Sequence, residues 1–354
     1  MYLQAQEGLM HTYREAWRSR GWVAWLIALV LTTFYLTLYF SEAFTPLATA
    51  LGLRNKWYLY GALYTVCMIG GGAYYLRHHG SSRYHRVRIA VNVTVQVTLA
   101  WSLPFAMSVF GGKEYYFSYL WPLKIEYLYP STLTSLPVYM AAYGVVASFV
   151  LLPVLTLRYG KRWYCSWICG CGALANTLGD PWRHLGDKSE ASWTLEKWTI
   201  HTVLALALIT TALVGWNWAW GPSVPALSAF VFEVQKAYGF VVGAILSGIV
   251  GVAVYPILGA RVWCRYFCPM AAMLGLIQKL GRFRISVKED MCISCGNCTA
   301  YCEMGIDVRA YAQKNQSFTR ASCVGCGMCA HVCPRGVLKL ENKGAASARL
   351  RILQ

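Results

Sequence analysis

Cys292-Ile293-Ser294-Cys295-Gly296-Asn297-Cys298-Thr299-Ala300-Tyr301-Cys302 and Cys323-Val324-Gly325-Cys326-Gly327-Met328-Cys329-Ala330-His331-Val332-Cys333-Pro334 repeat one spacing, and they hold eight of the chain's 14 cysteines. A C-x-x-C-x-x-C turn brings three thiolates around one corner of an iron-sulfur cubane. Paired zinc ribbons would show C-x-x-C knuckles about 15 to 20 residues apart, without a proline-flanked fourth cysteine. A disulfide framework belongs to small secreted domains. Gly296, Gly325 and Gly327 suit a backbone folded tightly around sulfur, because glycine tolerates positive φ.

The doubled run resembles that of bacterial two-cluster ferredoxins, in which the fourth cysteine of each run reaches across to the other cluster. The resemblance implies one [4Fe-4S] cluster on Cys292, Cys295, Cys298 and Cys333, and a second on Cys323, Cys326, Cys329 and Cys302. It places an α+β two-[4Fe-4S] domain at residues 281–340, followed by a basic tail at 341–354.

Upstream, the composition changes. The chain is 57% apolar and only 13% charged, which excludes an ordinary soluble domain for residues 1–280. Six stretches approach the ~20 apolar residues of a membrane span: 22–40, 57–76, 89–110, 136–157, 198–220 and 240–258. The expected fold is an all-α polytopic membrane protein of about six transmembrane helices, carrying the ferredoxin domain at its C-terminal end. The first stretch is too long for a signal-peptide core and lacks a small-residue cleavage site. Trp22, Phe40, Trp57, Trp198, Trp216, Trp218 and Trp220 stand at span ends, as ring anchors do at the headgroups.

With the N-terminus inside, 27 of the 32 lysines and arginines fall on inside segments, leaving Arg54, Lys56, Lys113, Lys124 and Lys236 outside. This positive-inside bias places the ferredoxin domain in the cytoplasm and the protein in a bacterial cytoplasmic (inner) membrane. The net charge of +17 is spread over every inside loop rather than along a nucleic-acid-binding fold. Anionic lipid is the expected partner for it, and the charge also favours an acidic redox protein. No nucleic-acid partner is expected.

A second set of cysteines repeats around the spans. Lys161-Arg162-Trp163-Tyr164-Cys165-Ser166-Trp167-Ile168-Cys169-Gly170-Cys171 follows the fourth, and Arg261-Val262-Trp263-Cys264-Arg265-Tyr266-Phe267-Cys268-Pro269 follows the sixth. If each C-x-x-x-C is helical, its two sulfurs share a face. Facing one another, Cys165, Cys169, Cys264 and Cys268 would form a third redox or metal site: an additional iron-sulfur cluster, zinc or cycling dithiols. Buried small side chains are the plainer alternative, and the one expected for Cys67.

Two C-x-x-x-C motifs between spans, ahead of a double-cluster module, resemble the NapH, NosR and YccM-type membrane ferredoxins over roughly residues 136–340. Cys264, Cys268 and Pro269 match the second motif in full. Cys165 and Cys169 match the first, with Gly170 where proline is usual. The resemblance implies electron transfer linking membrane quinone or a cytoplasmic donor to a partner reductase complex of anaerobic respiration. Quinol dehydrogenase is its enzymatic form. The missing N-terminal flavin domain and the absence of a covalent-flavin site favour the short NapH and YccM branch, to which the first two spans are an addition.

No C-x-x-C-H motif supports c-type haem. His201 is the one clear histidine within a span and reads as an interface residue, while His78, His79 and His85 read as a solvated basic loop. Few ionisable residues lie within spans, which argues against a proton channel. Gly70-Gly71-Gly72 reads as close helix packing, and the segment from Gly221 to Gly239 as an interfacial element. A redox-sensing regulator and a metalloenzyme maturation factor are the other functions compatible with these residues.

Overall fold

The computed structural model describes residues 20–111, 114–221 and 225–342. Six long helices dominate: α1 (Gly21–Phe40), α2 (Lys56–His79), α3 (Arg83–Val109), α4 (Val138–Tyr159), α5 (Glu190–Trp220) and α6 (Pro225–Ala253). All but α2 are long and apolar enough to cross a membrane. The expected span at 57–76 lies on α2, which has the length but carries Tyr58, Tyr60, Tyr64, Thr65, Tyr74 and Tyr75 among its glycines.

Local chemistry sets the ends of these helices. Asn55 caps α2 by accepting from the amides of Trp57 and Tyr58, and Ser189 caps α5 through the Ser192 amide. That cap starts α5 eight residues before the expected Trp198, so its first two turns stand on the ferredoxin side. The last span differs most from expectation. Pro225–Tyr238 is helical and runs directly into Gly239–Val250, so it forms the first half of α6 rather than a separate interfacial piece. Pro256, which has no amide proton to offer, begins a new short helix, Tyr255–Leu258. In α3 and α4 the same deficit follows a wide π-type turn, Gln96–Ser102 before Pro104 and Ala147–Leu151 before Pro153. The tail 343–354, along with 112–113 of the loop after α3, lies outside the described residues.

The ferredoxin unit is closed by two antiparallel strands, β1 (Arg284–Val287) and β2 (Leu338–Glu341), which pair Arg284 with Glu341 and Val287 with Leu338. Its three short helices are Asn297–Ala300, Val308–Gln313 and Met328–His331. The unit is not tethered loosely. One hydrophobic core runs from Leu152 and Leu204 of the long helices through Trp263 and Leu274 to Phe283, Met304, Phe318 and Val324. Polar bonds seal the seam: Tyr84 donates to the Gly325 carbonyl at 2.8 Å, Arg88 to the Cys326 carbonyl at 2.7 Å, and Ser166 to the Val324 carbonyl at 2.7 Å. Arg88 is fully buried and also donates to the Tyr75 hydroxyl. An Arg88→Leu protein is expected to lose about 3 kcal/mol at this seam, read as faster amide exchange over residues 323–333 with α5 unchanged.

Of the three histidines expected in a solvated loop, His78 is exposed but His79 and His85 are not. His85 is buried, bonded to the Tyr75 hydroxyl and lying 4.8 Å from the His331 ring, and His79 pairs with Asp180 at 3.0 Å. The reason is that α3 begins at Arg83 and its first turn packs against the ferredoxin unit. His201 bonds back to the Lys197 carbonyl on its own exposed face. Gly71 and Gly72 do pack closely, on Leu178 and Val93, but Gly70 and Cys67 face outward.

Candidate iron-sulfur sites

The two four-cysteine runs fold back on each other. One hollow is lined by Cys292, Cys295, Cys298 and Cys333, and a second by Cys302, Cys323, Cys326 and Cys329. Left-handed backbone makes the turns. Gly296 and Gly327 stand at φ +80° and +83°, each opening a short helix. Two positions earlier in each run the chain again turns left-handed, with Ser294 at φ +59° in the exposed run and Gly325 at φ +59° in the other. A Cβ on Gly325 would lie 2.7 Å from Arg162, so the run against the membrane helices has no room for serine. Backbone amides of Ile306 and Val337 donate to the sulfurs of Cys302 and Cys333, each at 3.4 Å.

The donor sets consist of thiols alone, with amides aimed at sulfur, which suits iron-sulfur clusters. No two of these cysteines are joined as a disulfide. Among the described residues, no three His, Cys, Asp or Glu side chains close around a single metal ion. A cubane holds its thiolates on separate irons and hence farther apart than one ion would.

The second set of cysteines gathers where α4 and α6 deliver their motifs. Cys165, Cys169, Cys264 and Cys268 are all buried in the same core, near enough to repel one another electrostatically when ionised. Neither motif is a continuous helical face as expected. Cys165 ends the short helix Arg162–Cys165, and Cys169 is extended (φ −63°, ψ 130°) at the cap of Gly170–Asn176. Cys264 lies in a π-type turn, and Cys268 is extended (φ −83°, ψ 112°) at the cap of Pro269–Lys279, its sulfur accepting from the Ala271 amide at 3.4 Å.

The replacement of proline by Gly170 therefore leaves the backbone geometry alike in the two motifs. It makes room instead: a Cβ there would meet the Tyr119 hydroxyl at 2.8 Å and Gln96 at 3.0 Å. Cys171, just beyond, shares a hydrogen bond with Cys169.

Three charged residues connect this site to the second hollow, and of them only Arg261 belongs to a motif stretch read from the sequence. Arg261 approaches the Cys264 sulfur at 3.6 Å, donates to Asn176 at 2.8 Å and pairs with Glu303 at 3.1 Å. Glu303 pairs through its other oxygen with Arg183 at 2.7 Å, and Arg183 reaches the Cys326 sulfur at 3.8 Å. All three are fully buried. Burial opposes the charge on Glu303, but Arg183 and Arg261 outweigh it and hold the carboxyl below its usual range. The one available signal was the basic residue ahead of each motif. Even that is asymmetric, because Arg162 turns outward to Asn342 while Lys161 is the buried cation.

Comparison with known proteins agrees with this layout. The 4Fe-4S dicluster domain matches residues 285–340. The 4Fe-4S binding domain matches twice, at 141–188 and 241–288, each time taking a span and its C-x-x-x-C motif. NapH of Escherichia coli (strain K12), a ferredoxin-type protein, is 26% identical over 48% of this chain and 56% of its own. YccM of the same organism, named as an electron transport protein, is 25% identical over 48% of each chain. The chain is similar in these parts to the NapH- and YccM-type membrane ferredoxins. MauN of Methylobacillus flagellatus, a ferredoxin-type protein of methylamine utilization, is 26% identical over 45% of this chain and 52% of its own. The chain thus spans about half the length of these curated relatives. No solved structure matches it.

Proposed function

We propose that this NapH- and YccM-type protein is the membrane-bound electron-transfer subunit of a respiratory oxidoreductase, linking the quinone pool or a cytoplasmic donor to a partner redox protein. Cys292, Cys295, Cys298 and Cys333 would hold one [4Fe-4S] cluster, Cys302, Cys323, Cys326 and Cys329 a second, and Cys165, Cys169, Cys264 and Cys268 a third centre. When bound, these groups supply one-electron transfer at low potential. The chain's own part is to bury the thiols, aim amides at sulfur and hold guanidinium groups beside them. The ferredoxin unit and both C-x-x-x-C motifs occupy one end of the bundle, the cytoplasmic end by the distribution of lysine and arginine.

The observation that carries this reading is the buried sequence Cys264, Arg261, Glu303, Arg183, Cys326, which sets the membrane thiols and the ferredoxin thiols in one continuous charged core. Iron counting in detergent-extracted protein tests it. The expected result is about twelve irons per chain, falling to about eight in a Cys165→Ser/Cys264→Ser protein that keeps its ferredoxin resonances. Clusters that accept electrons from neither a quinol nor a low-potential donor, followed by electron paramagnetic resonance, would overturn the assignment.

A further inference from the structure

A cavity of about 540 Å³ lies among α1, α2, α3, α6 and the loop after α3, and nothing in the cysteine motifs announces it. Its inner end is formed by Gly170, Cys171 and Cys264, so it abuts the four-cysteine site. Its far end carries Asn55, Trp57, Glu114, Lys124 and Glu126, of which Trp57, Glu114 and Glu126 are exposed. Between them the wall is aromatic, with Tyr35, Tyr39, Tyr60 and Tyr64 on one side and Trp101 on another. The α6 wall is cut back to Gly239, Gly243, Ser247 and Gly248.

Two features select the ligand. The volume is that of a small-molecule site rather than a packing fault. Three lining residues also hold buried donors with no partner among the described residues: the Tyr58 and Tyr238 hydroxyls and the Trp263 indole N–H, the last on a side chain only 5% exposed. Buried donors are normally satisfied. A lipid acyl chain would leave them so, whereas a planar ring bearing carbonyl oxygens would satisfy them and stack on the aromatic wall. Gly170 belongs to the same design, since a side chain there would displace the Tyr119 and Tyr64 hydroxyls from the inner end.

We infer that this cavity binds the head group of a lipid-soluble quinone, seated between the tyrosines and the glycine face of α6, with its ring against the Cys171 and Cys264 end. The inference rests on the electron-transfer reading above, to which it adds the place of the membrane carrier.

The test is photolabelling of the full chain in lipid nanodiscs with an azido-quinone, with labelled peptides mapped by mass spectrometry and iron counted on the same samples. Label is expected in residues 57–64 and 238–251 and is competed by unmodified quinone. A Cβ on Gly243 meets nothing within 4 Å, so Gly243→Phe fills the cavity without a backbone clash and is expected to cut labelling at least ten-fold. Tyr238→Phe keeps the ring, loses one donor and weakens competition about five-fold. Gly215→Phe, on α5 away from the cavity with equally open space, leaves labelling unchanged.

Label spread over lipid-facing helices and indifferent to Gly243→Phe overturns the inference, as does a phospholipid retained in the cavity in place of quinone. A full iron complement without specific label sinks the quinone site and spares the electron-transfer reading. Specific label on iron-poor protein does the reverse.

Discussion

Alanine at position 172 is expected to empty the four-cysteine site while sparing the ferredoxin clusters. Gly172 sits in the first turn of the helix that Cys169 caps, and a Cβ there would lie 1.9 Å from the Cys165 carbonyl oxygen. That oxygen cannot retreat freely, because it accepts from Arg261 at 3.3 Å and belongs to a buried residue. One methyl group must therefore separate Cys165 from Cys169. Overpacking of this kind costs about 1–3 kcal/mol where side chains can adjust, and more where backbone is the obstacle. The expected measurement is a loss of about four irons per chain. Gly70→Ala, which meets nothing within 4 Å, should retain all of them. Wild-type iron in Gly172→Ala would mean that the two motifs do not form a shared site.

Glu303 carries the other large effect. Its replacement by alanine leaves the Arg183 and Arg261 guanidiniums facing each other without the carboxylate between them, at a site where all three residues are buried. Breaking a buried ion pair from one side costs about 3–5 kcal/mol. Membrane proteins of this kind unfold irreversibly, so the readout is a half-life in detergent at fixed temperature. Shortening by a hundred-fold or more is expected. Glu303→Gln keeps the shape and isolates the charge. A unit charge acting over about 6 Å through an effective dielectric near 20 is worth on the order of 100 mV, so loss of this anion is expected to raise the reduction potential of a cluster held beside it. Redox titration of the cluster resonances measures it. Unchanged potentials and an unchanged half-life would show that Glu303 is not the coupling residue.

Spacing made the ferredoxin runs legible, because thiolates around a cubane demand a local turn that repeats in sequence. Apolar length did the same for five helices. Spacing also singled out Cys165, Cys169, Cys264 and Cys268, since the two motifs follow the fourth and sixth spans in matching positions. Their local shape was not legible: a four-residue interval suggests a helical face, whereas each second cysteine is an extended cap. Glu303 was hidden because its partners lie 120 residues and 42 residues upstream in sequence, at Arg183 and Arg261, and long-range ion pairs leave no period. The cavity was hidden for a related reason. Its tyrosines sit on α1 and α2 at positions that read equally well as membrane anchors, and only their convergence on the α6 glycines distinguishes them. His85 was misread because a basic stretch between spans looks like a loop until something packs on it.

The seam that locks the ferredoxin unit to the helices also decides which way the unit faces. The hollow of Cys302, Cys323, Cys326 and Cys329 is turned inward, against Arg88, Arg183 and Ser166. Cys295 is exposed, and Ile293, Tyr301 and Met291 around it leave 54%, 42% and 39% of their surface open. A domain on a hinge could offer either hollow to a visitor. This one is held fixed, so on the electron-transfer reading proposed above a soluble partner would meet the exposed Met291–Ile293–Cys295 face.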